Sequence, residues 1–170
     1  MSVDLPPALT SAPSKLAQGG AREAAWELAG DLVAAHGPGL GEDPLLTLDG
    51  GRVSVHRRAR LASRLPAGAA LGPVYRMSPG GGIVVPTGRL LVRYAAGSRI
   101  EEHADQLARA GFEVDQGLGF APHAGWVRAR SGSIADALGA VAALRGLAGV
   151  EHVEPEAVME MSGRAGGSPG

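Results

Sequence analysis

From residue 83 onward the apolar positions switch between two periods, two and about 3.6 residues, the signatures of strand and helix. Arg89-Leu90-Leu91-Val92-Arg93-Tyr94 places Leu90, Val92 and Tyr94 on one face and predicts a strand. Ser98-Arg99-Ile100-Glu101 has the form of a capping box, and Ile100, Ala104, Leu107 and Ala108 supply the stripe of a helix that Gly111 ends. Phe112-Glu113-Val114 and Trp126-Val127-Arg128-Ala129-Arg130 read as two further strands around a glycine-rich turn. Ser133, with Asp136 three residues on, opens a second helix with the stripe Ile134, Leu138, Val141 and Leu144, stopping at Gly149. A fourth strand begins at Val150. Pro155 has no N–H to give a ladder, which puts this strand at a sheet edge. The order β-α-β-β-α-β, with right-handed crossovers, predicts a ferredoxin-like α+β fold: a four-stranded antiparallel sheet with two helices on one face.

The first half is less regular. Residues 1–20 are Pro, Ser, Ala and Gly without a period and read as a disordered arm. Ala25, Leu28, Leu32 and Ala35 follow helical spacing, with Glu23, Glu27 and Asp31 on other faces, so a helix is predicted over 21–36, ended by Gly37-Pro38. Leu45-Leu46-Thr47-Leu48, the turn Asp49-Gly50-Gly51 and Arg52-Val53-Ser54-Val55 predict short strands. Ser78-Pro79-Gly80-Gly81-Gly82 reads as a linker. The expected organisation is an arm over 1–20, an N-terminal helix with short strands and linker over 21–82, the patterned domain over 83–161, and a flexible tail over 162–170.

Composition narrows the class. The chain of 170 residues has no apolar run long enough for a transmembrane helix. Its N-terminus has neither the basic nor the apolar region of a secretory signal. It has no cysteine, which removes disulfides and thiolate chemistry and leaves the cytoplasm as the expected compartment. The net charge of −1 hides a segregation. Residues 50–100 hold nine arginines and no acid, while the segments on either side each carry an excess of five negative charges. The middle of the chain would suit a polyanion or an acidic protein face; the ends would not.

Catalytic constellations are missing. His36, His56, His103, His123 and His152 show no metal-ligand spacing. His36-Gly37 has the local form of a protease triad's His-Gly, but the chain has neither a Gly-Thr-Ser nor a Gly-x-Ser-x-Gly nucleophile segment. Glu151, Glu154, Glu156 and Glu160 read as the solvated side of a strand. No enzyme activity, cofactor or metal is expected. For RNA recognition the third strand would need stacking aromatics, and Arg130 stands where one is required. His56-Arg57-Arg58-Ala59-Arg60 and Arg64 form a basic patch, yet nucleic acid is not the expected partner.

A resemblance carries the functional expectation. Val85-Pro86-Thr87-Gly88-Arg89-Leu90-Leu91-Val92-Arg93-Tyr94 is similar to the opening strand of the propeptides of subtilisin-like serine proteases. Gly149-Val150-Glu151-His152-Val153-Glu154-Pro155-Glu156 resembles that family's closing strand, its most specific part. The likeness covers about residues 74–161, and no catalytic domain follows among these residues. It implies a stand-alone cytoplasmic inhibitor and folding helper of a separate subtilisin-like protease, acting in trans. Family propeptides pack the open face of their sheet on the protease and run their C-terminal segment into the cleft as a substrate mimic. Carried over, the cleft segment is Ala157, Val158, Met159, Glu160, Met161 and Ser162. Met159 falls at the pocket for a bulky apolar side chain, and Met161 or Ser162 falls next to the cleavage point. Glu154 and Glu156 match the positions that face N-termini of protease helices. The alternative is a non-catalytic RNA- or ligand-binding module on the same fold.

Overall fold

The structure, a computed structural model, describes residues 12–17, 25–37, 44–58, 70–78 and 80–160. Its strands are β1 (Lys15–Ala17), β2 (Ala25–Leu28), β3 (Leu32–His36), β4 (Leu46–Leu48), β5 (Val53–Arg57), β6 (Ala70–Gly72), β7 (Tyr75–Ser78), β8 (Ile83–Tyr94), β9 (Phe112–Leu118), β10 (Ala121–Ala129) and β11 (Val150–Met159). Three short helices accompany them: α1 (Ala104–Arg109), α2 (Ile134–Gly139) and α3 (Val141–Arg145).

This corrects the expected ferredoxin-like α+β fold. The described chain is mostly β, with eleven strands in two antiparallel sheets. One sheet has seven strands in the order β1-β2-β7-β8-β10-β9, with β11 on the other edge of β8; the second runs β4-β5-β3-β6. The physical reason lies in β8. Its second half pairs with β10 from Arg89 to Arg93, as its alternation demands. Its first half continues through Gly88 and pairs with β7 at Ile83 and Val84, which brings β2 and β1 into the same sheet. β7 and β8 therefore pair directly where a linker was expected, with hydrogen bonds of 2.7 Å from Gly81 N to the Met77 carbonyl and 2.8 Å from Met77 N to the Gly82 carbonyl.

The helix expected over 21–36 is also corrected. Its described residues form β2 and β3, joined by a turn at Gly30 and Asp31. Trp26, Val33 and Ala34 fall off the stripe Ala25, Leu28, Leu32 and Ala35, and all three are buried. An amphipathic helix would have put them in water. Four successive buried residues, Leu32 to Ala35, instead mark a strand covered on both faces. Lys15–Ala17, within the expected disordered arm, pairs with β2.

Local signals in the second half are visible in the structure. Asp136 N donates to Ser133 Oγ at 3.2 Å at the start of α2, and Gly111 adopts the positive φ that ends a helix, whereas α3 stops at Arg145 and not at Gly149, whose positive φ directly precedes β11. The first capping box is displaced by one residue: Arg99 N donates to the Glu102 carboxylate at 3.2 Å, while Ser98 Oγ donates to the Ala95 carbonyl. The second helix breaks at Ala140 into α2 and α3.

Three apolar clusters form the core. Leu90, Val92, Tyr94, Phe112, Val127 and Val153 pack under Leu107, Ala137, Val141 and Leu144, so the helices cover one face of β9-β10-β8-β11. Leu32, Ala34, Val53, Val55, Val74 and Val85 join the smaller sheet to β8. Leu16, Trp26, Tyr75 and Val84 meet Ile134 and Leu138 of α2. Ile134 fits this junction because Gly88 and Gly72 have no Cβ; one built there would lie 3.1 Å from Ile134 Cγ1 and 2.9 Å from its Cδ1. Gly88 also holds φ at +95°, a backbone that side-chain-bearing residues avoid.

Candidate functional site

Strand alternation decides what the helix-free face of the large sheet carries. With Leu90, Val92, Val127, Phe112 and Val153 turned to the helices, Arg89, Leu91 and Arg93 of β8 and Trp126 and Arg128 of β10 fall on the other side. Glu113 and Asp115 of β9 and His152 and Glu154 of β11 join them there. The face is laced with ion pairs. Arg128 Nε lies 3.1 Å from Glu113 and 3.5 Å from Asp115, and Arg93 Nε lies 4.0 Å from Glu151. Arg89 Nε sits 3.4 Å from Asp115 and 3.7 Å from Glu156, within ion-pair range but without a hydrogen bond. The Arg89 guanidinium also lies over Trp126, 4.8 Å from the ring centroid.

Part of the segregated charge of the sequence is thereby cancelled in space. Arg76 pairs with Asp31 at 3.3 Å, and Arg89 and Arg93 pair with acids from the C-terminal third. Those arginines are committed within the fold rather than offered to a polyanion. Arg60 and Arg64 of the basic patch lie outside the described residues.

At the end of this face is a recess of about 300 Å³, lined by Trp26, Leu91, Trp126, Glu154, Pro155, Glu156, Ala157 and Met159. Both tryptophans of the chain line it. Trp26 is 3% exposed, and its indole Nε1 has no hydrogen-bond partner among the described residues. Met159 is 40% exposed. Glu156 accepts a hydrogen bond from Thr87 Oγ1 at 2.7 Å as well as facing Arg89, so it is held inside the chain. Among the described residues Glu154 has the His152 ring nitrogen as its hydrogen-bond partner, at 3.1 Å.

The expected cleft segment is placed differently. Ala157, Val158 and Met159 are ladder residues of β11, opposite Pro86, Val85 and Val84, and Glu160 N donates to the Ile83 carbonyl at 2.9 Å. Ala157 and Val158 also pack against two of the core clusters. To enter another protein's cleft these four residues would first have to leave β8. Met161 and Ser162 lie outside the described residues. β11 sits at the sheet edge, but the edge is blunted: Arg145 Nη2 donates to the Val153 carbonyl at 3.1 Å, and Pro155 has no N–H.

Trp26 and Leu91 were not among the expected site residues. The alternation Trp26-Glu27-Leu28 was the signal for Trp26, masked by the helical spacing around it. Among the described residues no three His, Cys, Asp or Glu side chains are gathered as a metal site would need, and no helix is long and apolar enough to cross a membrane. His103 stacks on Tyr94 with ring centroids 3.6 Å apart, while Ser54 and His56 are hydrogen-bonded at 2.8 Å inside the smaller sheet. Burial pushes His36 and His56 below the ordinary imidazole value. The chain matches no family model, and no curated protein or solved structure is significantly similar to it.

Proposed function

We propose that this chain is a non-catalytic, protein-binding inhibitor of a subtilisin-like serine protease, docking through the helix-free face of its large sheet. The observation that carries this reading is the composition of that face. Leu91 and Trp126 lie half-buried among paired charges, beside a recess bordered by β11. The stretch Gly149 to Glu156, where the likeness to protease propeptides is most specific, runs into and along that same strand. The resemblance and the available surface therefore meet at one place.

Two features favour face docking over strand addition at β11. The free edge is capped by Arg145 and interrupted by Pro155. A face centred on an aromatic and an aliphatic residue and rimmed by charge has the make-up of a protein interface. An area of standard size, about 1,600 Å² in total, is enough for tight binding when such anchors are well buried. In this reading the ladder from Ala157 to Met159 stays in place, and substrate-like entry into the cleft belongs to residues after Glu160.

Titrating the purified chain into a subtilisin-like protease tests the reading. Hydrolysis of a peptide substrate should slow at micromolar or lower inhibitor. Undiminished hydrolysis by the cognate protease at those levels would overturn it. Trp126→Ala should raise the inhibition constant at least about tenfold, as loss of a central aromatic anchor does.

A further inference from the structure

The recess between the two tryptophans has a chemistry of its own. Its lining carries two carboxylates, Glu154 and Glu156, and no cation. Arg89 stands outside it and is shared among Glu156, Asp115 and the face of Trp126. Among the described residues Glu154 has no arginine or lysine partner and lies beside the His152 ring. Beneath it lie Leu91, Pro155, Met159 and the two indoles.

We propose that this recess receives a lysine or arginine side chain from an extended segment of the partner protein. The aliphatic stem would lie on Leu91, Pro155 and Met159, and the cation would reach Glu154. Long basic side chains bury their stems while keeping the charged head at a polar rim, and they favour indole faces. A volume near 300 Å³ is at the lower end of ligand sites and suits one side chain with its backbone rather than a large cofactor. An acidic ligand would meet two carboxylates; a purely apolar one would cover Glu154 without pairing it. The inference rests on the inhibitor reading for the identity of the partner, while the recess chemistry can be tested without a protease.

The probes are three blocked tripeptides, acetyl-Ala-Lys-Ala-amide and its norleucine and glutamate counterparts. The two indole N–H resonances of the full chain, both from the recess, report binding by ¹H–¹⁵N NMR. The lysine peptide should shift both resonances saturably, and the norleucine peptide should bind at least about fivefold more weakly. Glu154→Gln, at a position already open to solvent, should bring lysine binding down to the norleucine level. Met159→Lys should block the peptide by supplying the cation from within the chain. Absence of a saturable shift at about 10 mM lysine peptide, or equal binding of all three peptides, would overturn the inference. If peptide binding fails while protease inhibition holds, this inference alone is lost. If the peptide binds while inhibition fails, the recess assignment is supported and the protease reading falls.

Discussion

Arg89 lies over the indole of Trp126, with its guanidinium carbon 4.8 Å from the ring centroid and its Nε between Asp115 and Glu156. One side chain thus ties β8 to β10, β9 and β11 on the face that has no helix to cover it. The arrangement explains how a sheet can leave this face to water and stay ordered: the cation is held by two carboxylates and a ring instead of by a packed layer. Arg89→Met keeps the stem but leaves Asp115 and Glu156 without their shared cation. It should lower stability by about 1–2 kcal/mol in urea unfolding, more than an exposed pair is worth because the group is about two-thirds buried. A loss near zero would mean that the ion pairs on this face contribute nothing to holding it.

Gly88 is the point at which β8 passes from one set of partners to the other. Gly88→Ala adds a Cβ at φ +95° and at 3.1 Å from Ile134 Cγ1. Gly97→Ala is the control, with φ +99° and open space around the new atom. Gly97→Ala should cost about 1 kcal/mol from the backbone alone, and Gly88→Ala about 2–3 kcal/mol from backbone and crowding together. Combined with Ile134→Ala, the Gly88 substitution should cost less than the two single changes added together. Strict additivity would remove Ile134 as the residue that requires a glycine there.

His36 lies in β3 at the junction of the smaller sheet with α2, and its Nε2 is buried without a partner among the described residues. Burial holds its proton affinity below the ordinary value of 6.5. The folded chain therefore binds fewer protons at this site than the unfolded chain. Its contribution to stability is complete above pH 6.5 and is lost as the pH falls below that value. The urea midpoint should decline between about pH 7 and 5, and His36→Gln should flatten part of that decline. His56, also depressed by burial, acts in the same direction. An identical slope in the variant would show that His36 reaches solvent when charged.

The legible and illegible parts of this fold differ in the range of the forces that set them. The Ser133 cap, the helix-ending Gly111, the hairpin around Asp49 to Gly51 and the edge position of β11 were readable because each follows from a few neighbouring residues. The fold class was not readable, because it depends on β8 extending through Gly88 to find β7, a pairing that no local period announces. Leu32 to Ala35, apolar on every side, carries no period at all and borrowed a helical one from Ala25 and Leu28. The site divided in the same way. Glu154, Glu156, Ala157 and Met159 stood out on the closing strand, whereas Trp26 reaches the recess only through the register of β2 on β7.

Two truncations decide between the ladder and the cleft for the end of β11. A chain ending at Glu156 loses the pairing of Ala157, Val158 and Met159 with β8, the hydrogen bond from Glu160 N to the Ile83 carbonyl, and the packing of Val158 on the cluster under the smaller sheet. A chain ending at Glu160 keeps all of these. The shorter one should be less stable by about 2–3 kcal/mol, the worth of a partly buried valine and a few ladder bonds. The difference between the two truncations isolates these four residues from everything beyond them. Both are then assayed against the protease. A chain ending at Glu160 that folds as the full chain does but no longer inhibits assigns cleft entry to the residues that follow. Full inhibition by that chain assigns blocking to the docking face alone. Equal stability of the two truncations would mean that the ladder beyond Pro155 holds nothing, and Ala157 to Glu160 would then be free to leave β8 and act as the inserted peptide.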